Sequence, residues 1–308
     1  MSEAGTRAGF VAVVGAPNAG KSTLVNALVG SKVSIVSPKV QTTRMRVIGI
    51  ALAELPSGER AQVVLVDTPG IFRLASRRLE RAMVAAAWQG AQDADLVALV
   101  VDAAGGLGDE TRAVIAGLKE SAAPKILILN KVDLVAREKL LDLTARANAM
   151  LGFERTFMVS ALKKDGVADV LAALGAAVPA GPFLYPEDQA ADLPQRLLAA
   201  EVTREQVFRQ LHQELPYEAA VETDTWTERK DGSVRIDQTI HVQREGQRAI
   251  VLGKGGARVR EIGAAARREL GEMLERPVHL FLHVKVSERW SDDPAHYRSI
   301  GLDYDPKD

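Results

Sequence analysis

The sequence predicts a two-domain α/β protein: a doubly wound, mostly parallel sheet, followed by a smaller α+β domain. Three observations carry this. Five short apolar runs alternate with helical patterns in the first half of the 308 residues. A proline-rich break then interrupts the pattern at 178–194. Beyond it, a hairpin signal is followed by a glycine-rich turn that opens a basic amphipathic stretch.

The expected strands are FVAVVG (10–15), AQVVLVD (61–67), LVALVVD (96–102), KILILN (125–130) and TFMVS (156–160). Each is a continuous apolar run of strand length, as strands buried on both faces of a parallel sheet require. Helical patterns at 76–90, 109–121 and 136–151 separate them, and strand–helix alternation of this kind makes a doubly wound domain. Its ligand sites belong at the carboxyl ends of the strands. The first domain is expected over 1–177. VPAGPFLYPEDQAADLP (178–194), with four of the chain's thirteen prolines, is expected as the linker. The second domain, 195–308, begins with a helix over 195–213. A strand pair about an Asp231–Gly232 turn follows. The apolar run opening AIVLGKGGARVREIGAAARREL (249–270) is expected as a short strand before the glycines and a helix, and VHLFLHVKV (278–286) as the last strand.

Composition narrows the function classes. The absence of cysteine excludes disulfides and thiolate chemistry. The opening MSEAGTRAGF lacks a signal-peptide layout, and no apolar run reaches membrane-spanning length, so a cytoplasmic protein is expected. Net charge is only −1, yet residues 244–268 carry seven cations (Arg244, Arg248, Lys254, Arg258, Arg260, Arg267, Arg268) against Glu245 and Glu261. On charge alone this window is either a solvated helix face or a nucleic-acid contact.

GAPNAGKS (15–22) lies directly after a strand and before a helix, where a phosphate-binding loop must lie. Gly15 and Gly20 permit the tight path that, around Pro17, aims the N–H groups of Ala16, Asn18, Ala19 and Thr23 toward phosphates. Lys21 is expected on the β- and γ-phosphates and the Ser22 hydroxyl on Mg²⁺. In DTPG, Asp67 can hold a Mg²⁺-bound water, Thr68 and Pro69 shape the turn, and the Gly70 N–H can meet the γ-phosphate. NKVD selects the base: Asp133 can accept from guanine N1–H and its amino group, a donor pair adenine lacks. Asn130 is expected to brace this loop against the phosphate loop, with the Lys131 stem and Val132 beside the base. Ser160, Ala161 and Leu162 end the fifth strand, where backbone N–H groups can reach guanine O6. Together, in this order, these motifs specify a guanine-nucleotide site.

These motifs resemble those of the translation-factor-related GTPases with P-loop NTPase folds, and over its whole length the chain resembles the Era-type GTPases within them. The resemblance implies that VQTTR (40–44) is the first switch segment, with Thr42 or Thr43 ligating Mg²⁺. It also bears on hydrolysis. Ile71 occupies the position where Ras-like enzymes place a water-orienting glutamine, and isoleucine cannot orient water. In some relatives an asparagine at the Asn18 position holds a K⁺ ion; here it either does so or braces the loop. Without a glutamine or an arginine in cis, the expected intrinsic rate is slow, on the order of 10⁻³ s⁻¹.

The nucleotide has a complete site in the first domain, so GKGG (Gly253, Lys254, Gly255, Gly256) is left for another ligand. Gly-x-x-Gly entering a basic helix resembles a type II KH domain, whose loop clamps about four unpaired nucleotides. Lys254, Arg258 and Arg260 would supply charge, and Ile250, Val251, Leu252 and Ile262 an apolar floor for bases. The resemblance further implies the 3′ end of 16S rRNA and the 30S subunit as partners, a role in 30S maturation, loose inner-membrane contact and a monomeric state. In SERWSDDPAHYRS (287–299), Trp290 or Tyr297 either stacks on a base or caps the domain core. Two rivals are weighed: a tRNA-modification or double-domain GTPase, opposed by the single phosphate loop and the absence of cysteine, and an RNA-binding adaptor that only binds nucleotide, opposed by Lys21, Ser22, Asp67 and Gly70.

Overall fold

The computed structural model is described for residues 5–37, 39, 43–71, 78–211, 215, 218–288, 290 and 294. They fall into two compact units, one within Met1–Val36 and Thr43–Asp192, the other within Ser37–Thr42 and Leu193–Ile300.

In the first unit, β1 (Thr6–Val14), β3 (Arg60–Asp67), β4 (Leu96–Asp102), β5 (Lys125–Asn130) and β6 (Arg155–Met158) realise the five expected strands. The sheet order is β2-β3-β1-β4-β5-β6. All neighbours are parallel except β2 (Val47–Glu54), which runs antiparallel to β3. The sequence reading missed β2 because it sought strands separated by helices. The signal was the Pro56–Ser57–Gly58 turn, closed by the Gly58 N–H to the Leu55 carbonyl at 2.9 Å. Helices α1 (Lys21–Val29) and α5 (Val167–Ala177) cover one face, where Leu24, Val25, Val170 and Leu174 are buried. Helices α2 (Arg78–Gln92), α3 (Asp109–Gly117) and α4 (Arg137–Met150) cover the other with Ala87, Val114, Ile115 and Leu143. Burial on both faces explains the continuous apolar runs.

The segment expected as a linker runs along the first unit as far as Asp192. Its main chain follows β2, with Ile50 N–H donating to the Ala190 carbonyl (2.8 Å) and Asp192 N–H to that of Ile48 (3.1 Å). Gln62 on β3, fully buried, fixes the preceding stretch: its Oε1 accepts from Leu184 N (2.8 Å) and Tyr185 N (3.0 Å), and its Nε2 donates to the Tyr185 carbonyl (2.8 Å).

The second unit holds α6 (Gln195–Gln210), β7 (Ala220–Glu228), β8 (Val234–Val242), α7 (Glu245–Leu252), α8 (Ala257–Met273) and β9 (Val278–Val286). β8 pairs antiparallel with β7 and parallel with β9. The turn between β7 and β8 is the expected one, with Gly232 at φ 78° and Asp231 Oδ1 accepting from Ser233 N–H at 3.0 Å. One element differs from expectation. Residues 249–252 are not a strand but the last turn of α7. A four-residue apolar run does not distinguish strand from helix; here Ala249 and Ile250 are exposed and Val251 buried, and both edges of β8 are already paired. Gln247 Oε1 caps the new helix by accepting from Arg244 N–H at 3.1 Å. Among the described residues no helix is long and apolar enough to cross a membrane.

Candidate nucleotide and RNA sites

β1 delivers the chain into the phosphate loop and α1 takes it out, so the N-terminus of α1 faces the loop, as an anion site requires. Gly20 has φ 93°, and a Cβ there would lie 2.2 Å from Asn130 Nδ2, so only glycine fits. Lys21 is buried; its Nζ donates to the carbonyls of Gly15 (3.1 Å) and Ala16 (3.0 Å). Burial lowers its pKa to about 8, against the opposing fields of Asp67 and Glu110.

Ser22 Oγ lies 2.8 Å from Thr43 Oγ1, so the structure brings Thr43 to the metal side of the loop; Thr42 lies outside the described residues. Asp67 ends β3 with its side chain fully buried and neither carboxylate oxygen hydrogen-bonded. Burial raises its pKa, while the Ser22 hydroxyl, Lys21 and the Ser34 hydroxyl favour its charged form. A buried carboxylate with two open oxygens beside two hydroxyls is a donor set of the kind Mg²⁺ takes, all oxygen and partly through water. The residues present fit that ion.

The DTPG turn closes against the loop. Thr68 Oγ1 donates to the Val13 carbonyl (2.8 Å), and a Cβ on Gly70 would lie 3.0 Å from Pro17 Cα. Ile71 N–H donates to the Gly15 carbonyl (3.2 Å), and its side chain is buried in the core. It therefore turns away from the solvent side, where a water-orienting group would have to act.

At the base end, Asn130 Nδ2 donates to the Ala19 carbonyl (2.9 Å) and its Oδ1 accepts from Ala161 N–H (3.0 Å). Lys131 Nζ donates to the Asn18 carbonyl (2.7 Å) and to Asp102 Oδ2 (2.6 Å). Asp102, the last residue of β4, was not singled out from sequence; its place at the end of LVALVVD was the available signal. Hydrogen bonding from Ser160, then Lys163 at 3.1 Å, holds the Asp133 carboxyl below the usual range, so it is a ready acceptor. Ser160 N–H is engaged by the Asp165 carbonyl and Ala161 N–H by Asn130, while Leu162 is exposed.

In the second unit, Gly253, Gly255 and Gly256 all have left-handed φ, at 69°, 59° and 76°. They carry the chain from α7 into α8 with the backbone bare of side chains. Lys254 and Arg260 are exposed, as are Arg244, Arg248, Arg267 and Arg268. Arg258 is half-buried and donates to the Gln210 carbonyl at the end of α6 (3.0 Å), so part of its work is to cap that helix. Two members of the expected apolar floor lie elsewhere. Val251 and Ile262 are fully buried in the unit's core, which leaves Ile250, 56% exposed, and the half-buried Leu252. Trp290 is buried and its indole N–H donates to the Glu218 carbonyl (3.1 Å), the capping use of the two expected; Tyr297 lies outside the described residues.

Residues 10–131 match the 50S ribosome-binding GTPase family, and residues 214–291 match the KH domain. GTPase Era of Bradyrhizobium sp. (strain BTAi1) is 61% identical over 97% of this chain and 95% of its own. The chain belongs to the GTPase Era family. Era of Rhizobium meliloti is 58% identical over 97% of this chain and 94% of its own. Among solved structures, a point variant of Aquifex aeolicus Era bound to GDP·AlF4⁻ superposes with a TM-score of 0.89 at 36% identity, covering 96% of this chain and 99% of that one. Era in complex with MgGDPNP and nucleotides 1506–1542 of 16S ribosomal RNA matches with the same score and coverage at 37% identity. The Era fold is thus a P-loop GTPase domain followed by a KH domain, and the chain is a GTP hydrolase.

Proposed function

We propose that this Era-family GTPase is a GTP-controlled factor of 30S subunit assembly that binds the 3′ end of 16S rRNA through residues 253–260. The observation that carries the reading is the run of left-handed glycines at the start of α8, in a unit separate from a complete nucleotide site. A bare backbone beside exposed Lys254 and Arg260 suits close approach of a sugar-phosphate chain. The Era relative crystallised with nucleotides 1506–1542 of 16S rRNA supports the choice of RNA.

In the nucleotide site, Lys21 charges fully against the β- and γ-phosphates and Asp133 reads guanine. Ser22 and Thr43 would hold Mg²⁺ directly and Asp67 through water; the ion supplies charge neutralisation between the phosphates. Gly70 N–H senses the γ-phosphate. With Ile71 in the core, its side chain does not orient the attacking water; a slow intrinsic rate is expected, and K⁺ held beside Asn18 would supply the missing charge. The family resemblance adds a cytoplasmic monomer with loose inner-membrane contact, which fractionation and sedimentation check.

The deciding experiment is RNA binding by the variant Lys254→Asp with Gly256→Asp. Affinity for a 16S 3′-end RNA is expected to be lost while GTP hydrolysis without RNA persists. Unchanged affinity in a folded double variant would defeat the clamp.

A further inference from the structure

Asp102 ends β4 with a carboxylate whose two oxygens serve different neighbours. Oδ1 closes the turn that follows, accepting from the N–H groups of Ala104 (2.9 Å) and Gly105 (3.3 Å). Oδ2 accepts from Lys131 Nζ at 2.6 Å. The strand ends bring these residues together: Asp102 lies opposite Asn130 in the register of β4 and β5, and Ala103 N–H donates to the Asn130 carbonyl (2.9 Å). Lys131 comes next, and its ammonium also donates to the Asn18 carbonyl in the phosphate loop (2.7 Å). Asn18 and Lys131 both have left-handed backbones, at φ 60° and 61°. Residues other than glycine hold that conformation where their surroundings impose it, and such positions cluster at ligand sites. One ammonium thus ties two left-handed turns together, and Asp102 is the anion set against it. Both side chains of the pair are about one-third exposed, at 32% and 30%, so water screens their attraction and it adds little to folding stability. Its effect is to place the ammonium.

We propose that Asp102 is a positioning residue for nucleotide retention: through Lys131 it holds the base loop and the phosphate loop closed on each other. A lysine ammonium is strongly hydrated and sits on a flexible stem, so without a fixed anion it leaves the Asn18 carbonyl for solvent. Held by Asp102, the stem is ordered before the nucleotide arrives, and binding does not have to order it. In this role Asp102 needs no contact with base or phosphate. The inference rests on the reading of residues 130–133 as the base loop.

The test uses the full chain loaded with a fluorescent GDP analogue. Its release is timed at fixed Mg²⁺ and ionic strength in Asp102→Asn, Lys131→Ala and the double variant. Asparagine keeps an acceptor for the turn at Ala104 and Gly105 but loses the charge facing Lys131. Asp102→Asn should speed release at least about threefold, the loss of one partly exposed charged contact. A smaller acceleration overturns the proposal. In the Lys131→Ala background the same substitution should change release by less than about twofold, because its route to the site is gone. An acceleration of about twofold or more in that background also overturns it, since Asp102 would then act by another path. This comparison decides even if Asp102→Asn lowers the melting temperature, because a merely structural loss speeds release in both backgrounds. Lys131→Ala alone tests the reading beneath. If it speeds release and Asp102→Asn does not, only the role of Asp102 fails; if Lys131→Ala leaves release within about twofold of wild type, the reading of Lys131 fails, and the proposal with it.

Discussion

The carboxamide of Asn130 reaches from the end of β5 to the carbonyl of Ala19, 2.9 Å away, and so joins the loop that reads the base to the loop that holds the phosphates. Both residues are buried, and the same side chain accepts the Ala161 N–H. Three strand ends are thereby held by one amide. Asn130→Ala leaves a buried carbonyl and a buried N–H unpaired, at about 1–3 kcal/mol each. The expected result is a melting temperature several degrees lower and nucleotide affinity reduced at least about tenfold. Calorimetric melting and equilibrium titration of GDP measure the two effects.

Base choice rests on Asp133. Asp133→Asn replaces an acceptor with a donor facing guanine's own donors, so GTP should bind at least about tenfold more weakly, a loss of about 1.4 kcal/mol. Xanthosine triphosphate, with a carbonyl in place of the amino group, should bind better than GTP. Competition between the two nucleotides decides it: a GTP affinity within about threefold of wild type contradicts the assignment.

The K⁺ role of Asn18 predicts a salt-specific rate. At equal ionic strength, GTP cleavage should run at least about tenfold faster in KCl than in NaCl, a smaller gain than the roughly 10³–10⁵ an arginine finger provides. Asn18→Ala should remove the difference. Asn18 sits at φ 60°, a conformation asparagine tolerates better than alanine, so GDP affinity is measured alongside to separate strain from ion binding. Equal rates in the two salts rule the ion out.

A further prediction concerns acid stability. Arg235 makes 2.9 Å bonds to both oxygens of Asp237 and holds its carboxyl down to about 2, from an ordinary 3.8. Because the folded pKa is the lower one, the unfolded chain takes up this proton first as pH falls. The pair's contribution is therefore complete above 3.8 and fades as pH drops toward 2. In Asp237→Asn, the urea midpoint should lose less between these two pH values than in wild type. Parallel acid limbs for the two proteins would show that the pair is not linked to folding.

Much of this molecule was legible in its residues. The phosphate loop, DTPG and NKVD were readable because each lies at the carboxyl end of a strand whose burial on both faces makes it a continuous apolar run. The second edge of the sheet was harder. β2 has no crossover helix to mark it, and its identity depends on pairing with β3. Residues 249–252 misled for a different reason: four apolar residues do not carry a period, and only the filled edges of β8 settle their conformation. Asp102 was overlooked because its significance is in three dimensions, where its carboxylate accepts from Lys131 at the end of the neighbouring strand.

Gln62 carries a consequence of its own. It recognises Leu184 and Tyr185 only through their amides and one carbonyl, while the Leu184 side chain is 50% exposed. Recognition of that kind is indifferent to which amino acids are recognised. The path of residues 184 and 185 is therefore specified 122 and 123 positions away, and their own identities can drift without altering it. Constraint falls instead on one glutamine: glutamate would keep the acceptor but lose the donor and bury a charge, and leucine would abandon all three main-chain groups. A stretch that reads as spacer in the alphabet of side chains is, in the alphabet of the backbone, a fully specified piece of the first unit.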